Sequence, residues 1–460
     1  MRKYILIIVV VLCSFTSSIS QTKKNAAFDP FLDTLEHRTF KYFWECVDSK
    51  TGLSPDRHPT KAFSSITAIG YSLTAYGIGA ERNYITREQA ADRVKTTLKY
   101  LWNLPQGTSS MNDAGYRGFY YHFLKYETGT RFAPDVDLSS IDTAWLMLGI
   151  LFAQSYFDRN NDVEKEIRSL ADSLYRRVEW NWMQPRPPLV TMGWYPEKGY
   201  HNLDYGWNGF DEASALYFLA IGSPTHAIDP AAWKEYPERF QWVKKYGYEY
   251  IDFDVLFWNQ FTECWYDMRG IQDKCVKEKG VDYFENARRA TYANRAYCIE
   301  NPKKNKGYSD LFWGISASDG PPDGKKVIDG VEIQFISYGA RGCSKNYWFD
   351  DGTITPYAAG GSLPMAPEIC LPTLKAIREQ IPGMWTEYGF KDAFNRTYIT
   401  EETPHGWVDK DYLGLDQGPI IIMAENYRNG LVWETMKKNP YIVKGLQRAG
   451  FTGGWLDGKK

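Results

Sequence analysis

"SSIDTAWLMLGILFAQSYFDRNNDVEKEIRSLADSLYRRV", residues 139–178, reads as two helices in succession. Ile141, Trp145, Leu148 and Phe152 recur at three- and four-residue steps, and Val163, Ile167, Leu170, Leu174 and Val178 make a second, cleaner stripe. Such recurrence gathers apolar side chains on one helical face. The same grammar runs along the chain. Asp29 is a candidate N-cap with Pro30 at the first helical position, and Leu32, Leu35, Tyr42, Phe43 and Cys46 follow it. Ile66, Ile69, Leu73 and Tyr76 form another stripe. Thr86-x-x-Gln89 has the form of a capping box, with Ala90, Val94, Leu98 and Leu101 behind it and Pro105 as the stop.

Further stripes to Ala449 bring the total to roughly a dozen helical segments. Long loops rich in Gly and aromatics separate them, notably over 104–138, 183–210 and 318–362. Connections that long in a compact domain are usually functional. The last contains "KVIDGVEIQFISYG", a β-prone run that predicts a small strand insertion. No Gly/Ser- or Pro-rich linker and no tandem period divides the chain. This pattern predicts an all-α protein, an (α/α)6 barrel in which an inner ring of helices is wrapped by an outer ring. One domain, residues 21–460, carries it.

Ahead of that domain, residues 1–20 have the form of a cleaved signal peptide. Arg2 and Lys3 precede an apolar run from Tyr4 to Cys13, and Ser18-Ile19-Ser20 supplies small residues before Gln21. The run is too short for a permanent span. A lipoprotein signal at Cys13 is the weaker alternative, because Leu12 is bulky where a small residue belongs. The expected location is therefore periplasmic or secreted. Losing Arg2 and Lys3 takes the formal charge from -2 to -4. Both signs are mixed along the chain, which argues against nucleic acid and anionic membranes as partners. Six cysteines remain, none in a C-x-x-C pair, so neither a zinc site nor a disulfide scaffold is expected. Cys264 and Cys275 are near enough in sequence to close a short loop.

The chemistry has to come from elsewhere. "GGSLP" at 360–364 lacks the Lys-Ser/Thr ending of a P-loop, and neither G-x-S-x-G nor H-E-x-x-H occurs. The six histidines are scattered, so no metal site and no cofactor is expected. Carboxylates remain, and glycoside hydrolysis needs only two. They cluster at three helix starts: Asp135, Asp137 and Asp142 in "DVDLSSIDTAW", Asp211 and Glu212 in "WNGFDEASAL", and Asp411 and Asp416 in "DYLGLDQGP". Any one of these acids is as well explained by capping and the helix dipole. In a double ring, however, inner helices start at one end, and acids at several starts converge.

Asp211 is the better cap, which leaves Glu212 free to act as general acid beside Trp207 and Phe210. Desolvation by those rings raises its proton affinity while the helix dipole lowers it. Asp416 has no adjacent aromatic residue and is expected to stay ionised, as a general base does. Asp142 then holds the sugar or a catalytic water. The aromatic fraction, 16%, is high, and "MGWYPEKGYHNLDYGWNG" sets many rings in a polar, Gly-rich stretch. Trp194, Tyr195, His201 and Trp207 are read as sugar contacts, with Asp137 and Asp211 beside them. Pinning of the loop to the barrel explains the rings equally well.

At "GWNGFDEASALYFLAIGSP", "TPYAAGGSLPMAPE" and "DYLGLDQGPIIIMAENYRNGLVW", the chain resembles the bacterial glucoamylase-like domain family, which includes the glycoside hydrolase family 144 β-1,2-glucanases. The likeness begins near "FKYFWECVDSKTGLSPDR" and reaches the C-terminal helix. It implies an (α/α)6 barrel, no cofactor, and inverting hydrolysis of β-1,2-linked glucan or its oligosaccharides. It places Glu212 at an essential acid, Asp142 at an acid near the sugar, and Asp416 across the cleft. Other readings stay open: a glycan-binding protein without catalysis, or a hydrolase of another glucan linkage. A polysaccharide lyase would want a basic patch, which the balanced charge does not supply. Oligomeric state and endo or exo action are left open.

Overall fold

The computed structural model describes residues 29–459 apart from Asn202, Asp204 and Tyr205. The signal-peptide reading of residues 1–20 lies outside the described residues. In chain order the main helices are α1 (Pro30–Lys41), α2 (Ile66–Glu81), α3 (Arg87–Asn103), α4 (Ser140–Tyr156), α5 (Asp162–Arg176), α6 (Ser214–Gly222), α7 (Phe261–Trp265), α8 (Tyr283–Glu300), α9 (Pro356–Gly360), α10 (Pro367–Gln380), α11 (Gly414–Arg428), α12 (Leu431–Met436) and α13 (Pro440–Arg448). They fall into two kinds. α2, α4, α6, α7, α9 and most of α11 are buried all round, whereas α1, α3, α5, α8, α10 and α13 keep a polar face. A helix that is apolar on every side has to be enclosed by others.

The enclosure is visible in the packing. α4 lies between α2 and α6, α2 also meets α11, and α11 meets both α7 and α9. Around them α3 and α5 pack on each other and on α2 and α4, while α1 covers α11 and α13 covers α6. Just before α7, Gln260 donates its side-chain N–H to Ala358 O of α9 at 2.7 Å. α2 and α4 approach most closely where two glycines meet: a Cβ on Gly149 would lie 2.0 Å from Gly70 O. Local signals behave as the sequence suggests at several ends. Asp29 caps α1 ahead of Pro30, and Thr86 and Gln89 form a complete capping box on α3.

The all-α expectation needs correction, because the fold is predominantly helical but not wholly so. The loops over 104–138 and 183–210 supply an antiparallel five-stranded sheet, ordered β1 (Gly115–Tyr116), β2 (Phe119–Tyr121), β3 (Leu138–Ser139), β4 (Gly193–Tyr195) and β5 (Gly199–His201). These strands are two or three residues long, too short for a period-2 pattern to stand out. The β-prone run forms a hairpin of β6 (Gly324–Ile328) and β7 (Val331–Phe335). Asp329 and Gly330 both take positive φ at its turn, the form that favours Asp-Gly. Behind it Arg341 and Asp351, both fully buried, pair at 2.8 and 3.0 Å and tie the long loop together. The six cysteines from Cys46 to Cys370 are free thiols, so the short closure between Cys264 and Cys275 does not form.

Candidate active site

β3 runs directly into α4, and this junction builds the first half of the site. Ser139 ends β3 and caps α4, its Oγ accepting from the Asp142 N–H at 3.1 Å. Asp142 is thus the third residue of the helix rather than its cap. Its Oδ2 accepts from Ser139 Oγ at 2.6 Å and its Oδ1 from Thr67 Oγ1 at 2.7 Å. His122 Nε2 stands 3.2 Å from the same Oδ1. One strand over, Asp137 lies 4.0 Å from His122 Nδ1, and burial is the main cause raising its carboxyl above the usual range.

Glu212 comes to this group from the segment that leads into α6. Asp211 is buried but is not the cap, since Ala213 takes that position and no side chain caps it; Asp211 Oδ1 instead accepts from the Ala213 N–H at 2.9 Å, in the turn ahead of the helix, and from the Tyr236 hydroxyl. Burial pushes the Asp211 carboxyl up to about 6. Glu212 is left partly exposed. Desolvation, then the charges of Asp142 and Asp211, push its carboxyl well above the ordinary glutamate range, against only the Trp145 indole. Burial therefore acts on Glu212 in the direction a general acid requires.

The second half of the site is a larger group of acids around one arginine. Arg57 sits beside the start of α11 because Arg57–His58 pairs antiparallel with Tyr412–Leu413. It donates to both oxygens of Asp319 at 3.0 and 2.9 Å and, through Nε, to Asp56 at 3.2 Å. The Asp319 N–H donates to Asp392 Oδ2 at 2.7 Å. Asp392 and Asp416 are buried and act on each other, and neither Asp392 Oδ1 nor Asp416 Oδ2 has a hydrogen-bond partner.

Two buried carboxyls so placed titrate as a pair and resist ionising together. Burial and the Asp416 charge push Asp392 well above its usual range. Burial first, then Asp319 and Asp56, take Asp416 to about 8, although Asp392 and the Arg57 charge oppose this. The expectation of a freely ionised Asp416 is therefore corrected. No aromatic residue adjoins it in sequence, but the Tyr71, Tyr338 and Tyr357 hydroxyls all lie in its field.

The loop residues divide by the pleat. Leu138 pairs with Trp194 and Gly193 with His201, so Trp194 shares a face with core residue Leu138 while Asp137, Tyr195 and His201 share the other. On its side Trp194 stacks on Tyr116 at 5.3 Å and meets Trp182 edge-on at 5.6 Å. Trp207 is buried and donates its indole N–H to Ser140 Oγ at 3.0 Å. For both tryptophans the sugar-contact expectation gives way to packing: Trp207 ties the loop to α4, and Trp194 packs on Tyr116 of β1 and on Trp182. Tyr195 and His201 lie 5.8 Å apart, near Asp137, with His201 exposed.

His122, Arg57, Asp56, Asp319 and Asp392 were not singled out by sequence. Asp319 does fall in a loop marked by its length, and Asp56-Arg57 closes the first stretch of the family likeness. His122 falls in such a loop too, over 104–138, but nothing in sequence marks the histidine itself, and Asp392 carried no signal; each gains meaning only from partners elsewhere in the chain. Asp319, Asp409 and Asp411 are the one grouping, among the described residues, whose oxygens stand within 4.8 Å as metal ligands would. Arg57 already supplies a cation to Asp319, and the Thr60 N–H donates to Asp411 at 2.9 Å. Burial, Asp392 and Asp319 hold Asp409 up at about 8. A carboxyl that keeps its proton is a poor ligand for a hard cation.

Fold and site define a class: a predominantly helical protein with two groups of desolvated carboxyls at the starts of buried helices. The model of the Glycoamylase family, described as putative glucoamylase, matches residues 204–440, more than half of the chain, and the chain belongs to that family. A solved putative glucoamylase from Bacteroides uniformis is 32% identical, with TM-score 0.79, over 93% of this chain and 98% of that one. An endo-β-1,2-glucanase from Chitinophaga pinensis, solved with sophorotriose and glucose, is 26% identical with TM-score 0.78, over 92% and 98%. The exo β-1,2-glucooligosaccharide sophorohydrolase (non-reducing end) of Parabacteroides distasonis is 28% identical over 94% of this chain, which spans 59% of that protein's length.

Proposed function

We propose that the chain is an exported glycoside hydrolase that cleaves β-1,2-linked glucan or its oligosaccharides with inversion at the anomeric carbon. The observation that carries this is Glu212, a carboxyl whose hold on its proton is raised by burial and by Asp142, in a chain that also brings together a second, coupled pair of buried carboxyls, Asp392 and Asp416. One group gives a proton and the other takes one, which is the division glycoside hydrolysis requires. In this reading Glu212 protonates the leaving oxygen. Asp416, paired with Asp392, accepts one from the attacking water, directly or through a sugar hydroxyl. Asp137, Tyr195 and His201 bind the sugar from the sheet. The relatives from Chitinophaga and Parabacteroides support the β-1,2 linkage by their named activities. The alternation of buried and half-polar helices supports an (α/α)6 barrel with the acids at its open end.

The test is incubation with linear β-1,2-glucan, β-1,3-glucan and starch, resolving products by size over time. β-1,2-Glucan should be cut and starch should not; comparable release of glucose from starch would overturn the linkage. The anomer released, read by NMR, should be α, and a β product would mean retention. Glu212→Gln should lower kcat by about two to four orders of magnitude, the worth of a positioned acid. Export is tested by intact mass: the mature chain should begin near Gln21, and a lipid on Cys13 would contradict it.

A further inference from the structure

His122 follows β2 and faces Asp137 across the sheet, its N–H donating to Asp137 O at 3.0 Å. Its ring stacks on Phe123 at 3.8 Å and 21°, and Phe123 is backed by Phe63 at 4.2 Å. One side of the imidazole is thus fixed by aromatic packing, yet a third of the side chain, 34%, stays exposed. Its two nitrogens point to different acids: Nε2 to Asp142 Oδ1 at 3.2 Å, Nδ1 to Asp137 Oδ1 at 4.0 Å. The charged groups in its field are Asp137 and Asp142, Asp56 from the Arg57 group, and His201, which acts on the same Asp137.

Ordinary packing would not need a histidine here, since the stack on Phe123 requires only a ring. A donor at Nε2 is what Phe could not supply. Thr67 and Ser139 hold Asp142 from the α2 and β3 sides, and His122 closes the remaining side. Asp142 in turn is the foremost charge acting on Glu212.

We propose that His122 is a positioning residue for the proton-transfer step: its Nε2–H fixes the Asp142 carboxylate against Glu212, and Asp137 orients the imidazole from behind. The inference rests on the reading of Glu212 as the acid. A negative charge held rigidly beside Glu212 keeps that carboxyl loaded, and one that can swing away does not.

The experiment compares pH profiles of kcat and KM on a β-1,2-glucooligosaccharide for wild type, His122→Phe, His122→Gln and Glu212→Gln. His122→Phe keeps the ring stack and loses the donor. Its kcat should fall about tenfold or more, KM should change less than about threefold, and the basic limb should move to lower pH. His122→Gln, which returns an N–H toward Asp142, should recover most of the loss. If His122→Phe keeps wild-type kcat and basic limb while Glu212→Gln is inactive, this proposal alone falls. If Glu212→Gln stays active, the acid assignment falls and this proposal with it. A readout independent of turnover is the side-chain 1H–15N spectrum of the resting protein. The proposal requires the proton on Nε2 of His122, and a neutral ring protonated on Nδ1 would overturn it.

Discussion

Asp416 and Asp392 show how a single residue's chemistry is set by its partner. In the unfolded chain both lose their protons near the ordinary aspartate value, about 4. In the fold the two titrate as a coupled pair, burial pushing Asp416 up to about 8 and Asp392 well above its usual range, while burial takes Asp409 to about 8 as well. Between those limits the folded state binds more protons than the unfolded one, so stability contributed here falls as pH rises from about 4 to about 8. Asp392→Asn removes one charge and offers Asp416 an N–H. Tm measured from pH 5 to 8.5 should decline less in this variant than in wild type. The acid limb of kcat should also move to lower pH, because Asp416 ionises more readily. A variant with both profiles unchanged would show that the two do not titrate as a pair.

α2 and α4 carry Thr67 and Asp142, and their spacing is set by the contact between Gly70 and Gly149. Ala at 149 would place a methyl 2.0 Å from the Gly70 carbonyl, so the helices must separate. Overpacking of this kind costs about 1–3 kcal/mol, and urea denaturation of Gly149→Ala should show at least that. Activity should fall further than the loss of folded protein explains, because separation stretches the 2.7 Å Thr67–Asp142 bond that helps fix the charge beside Glu212. An unchanged unfolding midpoint would mean that the two helices adjust without strain. The strand elements invite the opposite expectation for Trp194. Its ring packs with Tyr116 and Trp182, so Trp194→Ala should lower thermal stability more than it raises KM.

At the scale of the whole molecule, the long loop over 318–362 is tied by the buried Arg341–Asp351 pair. Asp351→Ala leaves the Arg341 guanidinium buried without its partner, a change that costs about 3–5 kcal/mol. The damage should reach the site, since Arg341 also donates to the Ser318 carbonyl at 2.9 Å, next to Asp319. Differential scanning calorimetry and kcat on the same sample would measure both effects, and a loss of Tm with kcat per folded molecule intact would separate the loop from the chemistry. Activity should survive EDTA, given that Arg57 already neutralises part of the Asp319 group. Full loss on chelation, restored by one metal, would instead assign Asp319, Asp409 and Asp411 as ligands.

By itself the sequence determined most of the helices, caps such as Asp29 and Thr86, the three helix starts that bear acids, and the family. Each rests on residues within a few positions of one another, where periodicity, Pro at N1 and Ser/Thr/Asp caps act locally. It missed that 308–316 stays non-helical, that a strand follows the short helix at Ala231–Glu235, and that Asp211 stands ahead of the cap at Ala213. Only the tertiary structure decided which acids keep their protons. The Asp416 partner lies 24 positions away in "KDAFN", and its tyrosines come from three other segments. The side of the sheet that each aromatic faces was equally hidden, because strands of two or three residues show no alternation. His122 shared only the signal of its long loop, standing alone in sequence among tyrosines and phenylalanines. Its meaning comes from the fold, which brings Asp137 and Asp142 to its two nitrogens, and electrostatics depends on distance in space rather than along the chain.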